Sequence, residues 1–387
     1  MSEIRKTIGY RKRDCDICGS SELSAFWQYP YTVKTAHFIF EWRVQIVICP
    51  KCGFVFTSPA PEEKSLEEYY GDGLGLFNQQ ILDYSIDKRL TLIKKYATSA
   101  GTANYVEIGS NNCPELLQQL KNTVGQIRTV ELIDECTSDH HNMSELKAGS
   151  ADILTAYFVL EHVPAPGKFL QECRRILADN GTCIIEVPDL YLYPEYTDAL
   201  ILWEHTNHFS TVSLTVLAEQ CGLEVLEISH QLCSRPFGFA AVLKKSPHHK
   251  LRLPDLSFEY EKAFSCMQKG LKKHRKFEAR LAEIRENISK LNSAGKVSIL
   301  WAANDTCRRL LEDFPLPANA HIVDINQRKR ELFKPIPVNT PELRIKELSE
   351  CSLLVINSAR HKDEILKWIR ANTDNDFADT EIIVLEL

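Results

Sequence analysis

Asn104-Tyr-Val-Glu-Ile-Gly-Ser-Asn-Asn-Cys113 is the stretch on which the reading of the fold turns. A short apolar run with β-branched residues breaks into Gly109 and small polar neighbours, and helical spacing follows at Leu116, Leu117 and Leu120. Strand, tight glycine turn and helix form the unit with which α/β proteins offer backbone N–H groups and a helix N-terminus to a ligand. Glu107, at the end of the strand, is an acid able to meet a ligand's hydroxyl or cationic groups. One glycine in such a turn specifies no ligand, so the surrounding chain has to supply the context.

Downstream, Ile127-Arg-Thr-Val-Glu-Leu-Ile133 reads as a second strand ending in the acids Glu131 and Asp134. An acid at that place in a dinucleotide-type fold receives ribose hydroxyls. Asp152 to Phe158 reads as a third strand, running on into Val159-Leu-Glu-His-Val163-Pro. Phe169 to Leu177 has amphipathic helical spacing, closed by Ala178-Asp-Asn-Gly181 as a left-handed helix stop, and Thr182 to Val187 reads as a further strand. This alternation predicts a mostly parallel sheet with helices on both faces.

Upstream, Cys15-Asp-Ile-Cys18-Gly and Cys49-Pro-Lys-Cys52-Gly are separated by 30 residues. Each pair has the spacing that puts two thiolates on one ion, and the glycine that follows eases the turn. Strand-like material at Ala36 to Phe40 and Arg43 to Ile48 would join the two knuckles as a small ribbon. A structural zinc on Cys15, Cys18, Cys49 and Cys52 would supply folding energy that so small a module cannot draw from its core. The other nine of the thirteen cysteines are scattered singly, a pattern of a reducing, cytoplasmic compartment rather than of a disulfide framework.

The chain has 387 residues, too many for one typical domain. The sequence divides into a zinc-binding ribbon (1–60), a helical linker (61–100), the α/β unit above (101–246), a helical connector (247–294) and a second α/β unit (295–387). In the last, Val297 to Trp301 reads as strand, Ala302-Ala-Asn-Asp-Thr as a turn without glycine, and Asp324, Asn326 and Lys334-Pro-Ile-Pro as residues of a substrate cleft or of a purely structural domain. A formal charge of −6 gives no reason to expect nucleic acid or an anionic membrane as partner. No run of about 18 apolar residues suggests a membrane span, and the N-terminus lacks a signal-peptide core.

Taken in order, Val106-Glu-Ile-Gly-Ser-Asn-Asn112, Asp152-Ile-Leu…Phe158-Val-Leu-Glu-His-Val163-Pro, Cys173-Arg-Arg-Ile-Leu177…Gly181-Thr…Glu186-Val-Pro and Glu204-His-Thr-Asn-His-Phe-Ser210 resemble a class I S-adenosylmethionine-dependent methyltransferase. With cysteine knuckles ahead and a second α/β unit behind, the layout is similar to the three-domain sugar C-methyltransferases. The resemblance implies an α/β fold with an N-terminal zinc ribbon, a central Rossmann-like methyltransferase domain and a C-terminal Rossmann-like domain that helps hold a nucleotide-sugar. It places Glu107, Gly109, Asn111 and Asn112 in the cofactor loop, Glu131 on the cofactor's ribose, and Phe158, Val159 and Leu160 along its adenine and methionine side. Glu204 and His205 match the pair beside the reacting carbon, with His205 as general base. A 4-keto sugar has an acidified C–H that a base of near-neutral pKa can deprotonate, and an adjacent carboxylate would hold the imidazole tautomer. The chain departs from the family's pattern at Cys113, where glycine is usual, at Leu202, where a tyrosine is usual, and in the 17 residues (135–151) that precede Asp152, short for a helix and a strand. These departures leave a second reading open: a relative that binds a nucleotide-sugar or a protein partner without methylating it.

Overall fold

The computed structural model describes residues 4–34, 37–71, 85–97, 101–109, 114–131, 138–197, 204–246, 255–312, 314–333 and 336–385. The chain divides into two compact units, one built on Met1–Gly73 and Asp83–Leu271, the other chiefly on Lys272–Leu387. The ribbon and the methyltransferase-like sheet expected from the sequence both lie in the first unit.

The ribbon's strands are β1 (Ile4–Thr7), β2 (Tyr10–Arg11), β3 (Ser24–Lys34), β4 (Phe38–Ile48), β5 (Val55–Thr57) and β6 (Ala60–Pro61). β4 is its axis, with Phe40, Trp42, Val44 and Ile46 buried at every second position, the period that points alternate side chains to one face. β3 runs antiparallel along one edge of β4, while β1 and β5 share the other. The sequence reading missed β3, whose mix of Trp27, Gln28, Pro30 and Thr32 has no clear apolar alternation.

The main sheet is made of β7 (Asn104–Ile108), β8 (Gln126–Val130), β9 (Ala151–Tyr157) and β10 (Leu177–Pro188), followed, after β11 (Asn207–His208), by β12 (Leu223–Ser229) and β13 (Gly238–Lys245). The order is β12-β13-β10-β9-β7-β8. β8, β7, β9 and β10 are parallel, and β13 is antiparallel to both of its neighbours. Burial along β9, and along β10 from Gly181 onward, is what a parallel sheet covered on both faces requires. One face packs Leu90, Leu92 and Ile93 of the helix Ile86–Tyr96, with Leu116 and Leu120, against Tyr105, Ile153 and Tyr157. The other packs Phe169, Leu170 and Cys173 of the helix Pro166–Ile176, with Leu214 and Leu217 of the helix Thr211–Gln220, against Val106, Leu154 and Ile185. Between β8 and β9 the described residues form a single 3-10 turn, Met143–Glu145, and one isolated bridge, Val130 to His140.

Gly181 corrects the sequence reading. The helix before it ends at Leu177 (φ −58°, ψ 139°) and passes straight into β10, whose register shifts between Leu177 and Thr182. Gly181 is not left-handed. It is glycine because a Cβ there would lie 2.7 Å from the Ala151 carbonyl oxygen.

A single helix, Ser257–Ser293, follows, and Phe277, Leu281, Ile284 and Ile288 of its later turns enter the core of the second unit. That unit holds β14 (Val297–Trp301), β15 (Ala320–Val323), β16 (Val338–Asn339), β17 (Cys351–Ile356) and β18 (Glu381–Val384), all parallel in the order β16-β15-β14-β17-β18. Its first turn has Ala302 at φ 81°, and Asp324 fixes that turn by accepting from the Ala303 N–H at 2.8 Å and the Asn326 N–H at 2.7 Å. Both oxygens of Asp324 are therefore engaged by backbone. Lys334 and Pro335, read as part of a cleft, lie outside the described residues.

Candidate functional site

The two cysteine knuckles have one geometry. The N–H of Gly19 donates to the Cys15 carbonyl at 2.8 Å and that of Gly53 to the Cys49 carbonyl at 2.9 Å, with both glycines left-handed at φ 69° and 70°. L-residues with a Cβ adopt that conformation only with strain, which accounts for the glycine after each pair. The turns bring the sulfurs of Cys15, Cys18, Cys49 and Cys52 within 4.8 Å of one another, with Cys15–Cys52 and Cys18–Cys49 each at 3.4 Å. A tetrahedral ion with bonds of about 2.3 Å needs its sulfurs roughly 3.8 Å apart, so the donor set fits zinc in both chemistry and size.

The chain that follows the main sheet's β10 returns to the ribbon and adds β11 to the edge of its sheet. Asn207 and His208 pair antiparallel with Phe56 and Val55, and the Thr57 N–H donates to the Thr206 carbonyl at 3.0 Å. Arg13, two residues before the first knuckle cysteine, is buried, with its planar guanidinium fork on three groups. It donates to Asp16 at 2.8 Å, to the Thr206 carbonyl at 3.1 Å and to the Asn207 side-chain oxygen. The Asn207 amide in turn donates to the carbonyls of Leu160, at 3.1 Å, and Val163, at 2.7 Å. Residues 204–208 are thus held between the cysteine knuckles and the turn after β9.

The candidate cofactor residues sit at the C-terminal ends of three neighbouring parallel strands, where open α/β sheets bind ligands. Glu107 is the fourth residue of β7 and fully buried; one carboxylate oxygen accepts from Tyr105 at 2.7 Å, and the other has no partner among the described residues. Burial pushes its carboxyl up to about 7, against the opposing effect of the Tyr105 hydroxyl. Gly109 follows at φ 75°, its N–H on the Val130 carbonyl at 2.9 Å. Glu131 follows β8, and Phe158, Val159 and Leu160 follow β9. Phe158 is left-handed at φ 56°, a conformation that costs a non-glycine residue on the order of 1 kcal/mol or more. Its N–H donates to the Glu186 carbonyl at 2.8 Å, and the Arg235 guanidinium lies 4.2 Å from its ring. Asn111, Asn112 and Cys113 lie outside the described residues.

His205 is buried, with its ring 4.9 Å from that of His162. The carboxylate beside these two rings is that of Glu161; ligand atoms of Glu161, His162 and His205 all lie within 4.8 Å of one another. Burial pushes the Glu161 carboxyl up to about 8. Glu204, paired with His205 on the sequence, accepts instead from the Tyr69 hydroxyl at 2.7 Å. Tyr69 belongs to the helix Glu63–Gly71, so a tyrosine reaches Glu204 from elsewhere in the chain although Leu202 precedes the pair. His208 bonds the Tyr193 hydroxyl at 2.8 Å, and burial lowers its pKa to about 3, as for a neutral core histidine.

Residues 79–228 match a family model described as a methyltransferase domain. Over these residues the chain is similar to a methyltransferase domain. A Mycolicibacterium smegmatis protein named as a probable S-adenosylmethionine-dependent methyltransferase is 30% identical over 88 residues, 22% of this chain and 34% of that protein. The ubiquinone biosynthesis O-methyltransferase of Psychrobacter arcticus is 26% identical over 149 residues, 37% of this chain and 52% of that protein. The chain thus spans between a third and about half the length of these curated relatives. Among solved structures, an S-adenosylmethionine-dependent methyltransferase from Clostridium acetobutylicum overlaps with a TM-score of 0.35 at 10% identity, covering 43% of this chain and 93% of that one.

Within the methyltransferase domain the sequence reading named Glu107, Gly109, Glu131 and His205 but gave no site role to Glu161, His162 or Arg235. Glu161 and His162 carried a signal, an acid and an imidazole adjacent at the end of a buried strand. Arg235 carried none, because only the fold brings it to Phe158.

Proposed function

We propose that this protein is an S-adenosylmethionine-dependent methyltransferase acting on a nucleotide-activated sugar or a related small metabolite, by C-methylation, with a structural zinc on its four-cysteine site. The observation that carries the reading is a convergence at one sheet edge. Glu107, Gly109, Glu131 and Phe158 end three adjacent parallel strands, and His205 lies beside Glu161, three residues beyond Phe158. The unpartnered oxygen of Glu107 and the left-handed Gly109 suit a ligand with hydroxyl and cationic groups that the backbone must approach closely. S-adenosylmethionine, when bound, supplies an electrophilic methyl group. Glu107 and Glu131 would hold it from the β7 and β8 ends, and Phe158, Val159 and Leu160 would wall its other side. His205 would take the proton from the acceptor carbon at its ring nitrogen, and the ribbon strand that fixes Thr206 and Asn207 would keep that ring in place. The two cysteine pairs and the scattered single thiols support a cytoplasmic setting. Among the described residues no helix is long and apolar enough to cross a membrane.

Titration calorimetry with S-adenosylmethionine and S-adenosylhomocysteine on zinc-loaded protein tests the reading, with micromolar binding expected. No heat of binding for either ligand overturns it in favour of a relative that binds without methylating. His205→Ala should lose nearly all turnover, by roughly the 10²–10⁴-fold that a general base contributes, while keeping cofactor affinity. Turnover within threefold of wild type would remove His205 from that role.

A further inference from the structure

Glu161, at the turn after β9, is 1% exposed, and neither of its carboxylate oxygens has a hydrogen-bond partner among the described residues. A buried carboxylate in that state is costly, by several kcal/mol when charged. Protonation would remove the charge but leave a buried hydroxyl without an acceptor. The nearby guanidinium answers it only in part: the Arg235 charge favours the ionised Glu161, but Arg235 lies on the rings of Phe158 and Phe237, at 4.2 and 5.7 Å, and makes no ion pair among the described residues. What does face Glu161 is imidazole. Its Oε1 is 3.8 Å from His162 Nε2, and the Nδ1 of His162 is also buried without a partner.

We infer that Glu161, His162 and His205 form a second divalent-cation site, of nitrogen and oxygen donors, separate from the four-cysteine site. One carboxylate and two imidazoles on adjacent segments is a donor set suited to zinc, iron(II), manganese or cobalt, with positions left open for water or another ligand. Bonds of about 2.1 Å require ligand atoms roughly 3–3.5 Å apart, and the three present ones all lie within 4.8 Å, a gap that side-chain rotation closes. The scaffold is built for precision. Asn207 and Thr206 bond the carbonyls of residues 160–163, including that of Glu161 itself, at 3.4 and 3.3 Å, so the segments bearing the donors are tied to each other. An ion on His205 would occupy the nitrogen that the proposed reaction needs for its proton, so metal-loaded and metal-free forms would differ in whether that nitrogen is open.

Cobalt(II) added to the full-length protein, already zinc-loaded at its cysteines, is the probe, with neither methyl donor nor acceptor present. This keeps the result apart from the methyl-transfer reading. Binding of one further equivalent is expected, with weak visible d–d bands and without the intense near-ultraviolet bands of thiolate coordination. Glu161→Gln and His162→Ala should each weaken that equivalent by tenfold or more while leaving one zinc per chain in place. The half-buried His162 is the variant better tolerated by the fold. Failure of wild-type protein to bind a second equivalent overturns the inference, and so does its retention at full affinity in both variants.

Discussion

Glu107 shows at the scale of one residue what a candidate ligand site costs the free fold. Its carboxyl, ordinarily near 4.5, is pushed up to about 7 by burial. The folded protein therefore holds a proton on Glu107 over a pH range in which the unfolded chain has released it. Stability tied to this group is fully present below pH 4.5 and is lost as pH rises through 7, by roughly 3 kcal/mol in the limit. Glu107→Gln keeps an acceptor for Tyr105 and removes the charge. Urea unfolding of the cofactor-free variant should show a gain of about 1–3 kcal/mol at pH 8 and little change at pH 4, together with weaker S-adenosylmethionine binding. A gain equal at both pH values would mean that packing, not charge, is responsible. Glu107 stands out in the sequence because strand, acid and glycine are contiguous, but the hydroxyl that meets it, Tyr105, is visible only once both are placed on one face of β7.

At the scale of elements, one of the shortest strands does the most to position the candidate site. β11 has two residues and no period of its own, and its partner β5 lies about 150 residues earlier, so nothing local in the sequence announces the pairing. The strongly patterned elements were legible for the opposite reason: β7 and β9 are near-continuous apolar runs and the helix Ile86–Tyr96 buries one spaced face, signals written in consecutive residues. Gly181 was misread because glycine after a helix usually marks a left-handed turn, whereas here close backbone approach explains it. Glu204 was joined to His205 by the family resemblance, and nothing in the sequence hints that its carboxylate accepts from Tyr69, 135 residues earlier. The consequence for β11 falls on Asn207, whose amide satisfies carbonyls of the turn after β9 and whose oxygen receives Arg13. Asn207→Ala would leave those buried groups unpaired and should cost about 2–4 kcal/mol, read by chemical denaturation. Because Asn207 ties the turn bearing Glu161 and His162, turnover should fall by more than the stability loss explains, with KM for the acceptor raised. A variant as stable and as active as wild type would show that β11 alone suffices.

At the scale of the molecule, the ribbon is not an appendage. Cys15, Cys49, Cys52, Phe54 and Phe56 belong to the same apolar cluster as Leu154, Leu170 and Ile185 of the methyltransferase sheet and its helix. Gly53 also leaves room for the backbone of Glu259, since a Cβ would come within 2.5 Å of it. A structural zinc contributes on the order of 10 kcal/mol to a small module, comparable to the whole stability of a domain. Its removal should therefore spread beyond residues 1–60. Hydrogen exchange after treatment with a chelator should show lost protection in β4 and β5, then in β11 and the turn at residues 160–163. Strands β14, β15 and β17, which have a core of their own, should keep theirs. Metal analysis must show that the zinc has left. Protection lost in residues 1–60 alone would make the ribbon an independent module and detach it from His205; unchanged protection throughout would remove the structural role of the metal. The expected pattern, loss that follows Arg13 and Asn207 into the candidate site, ties the four cysteines to the chemistry through packing.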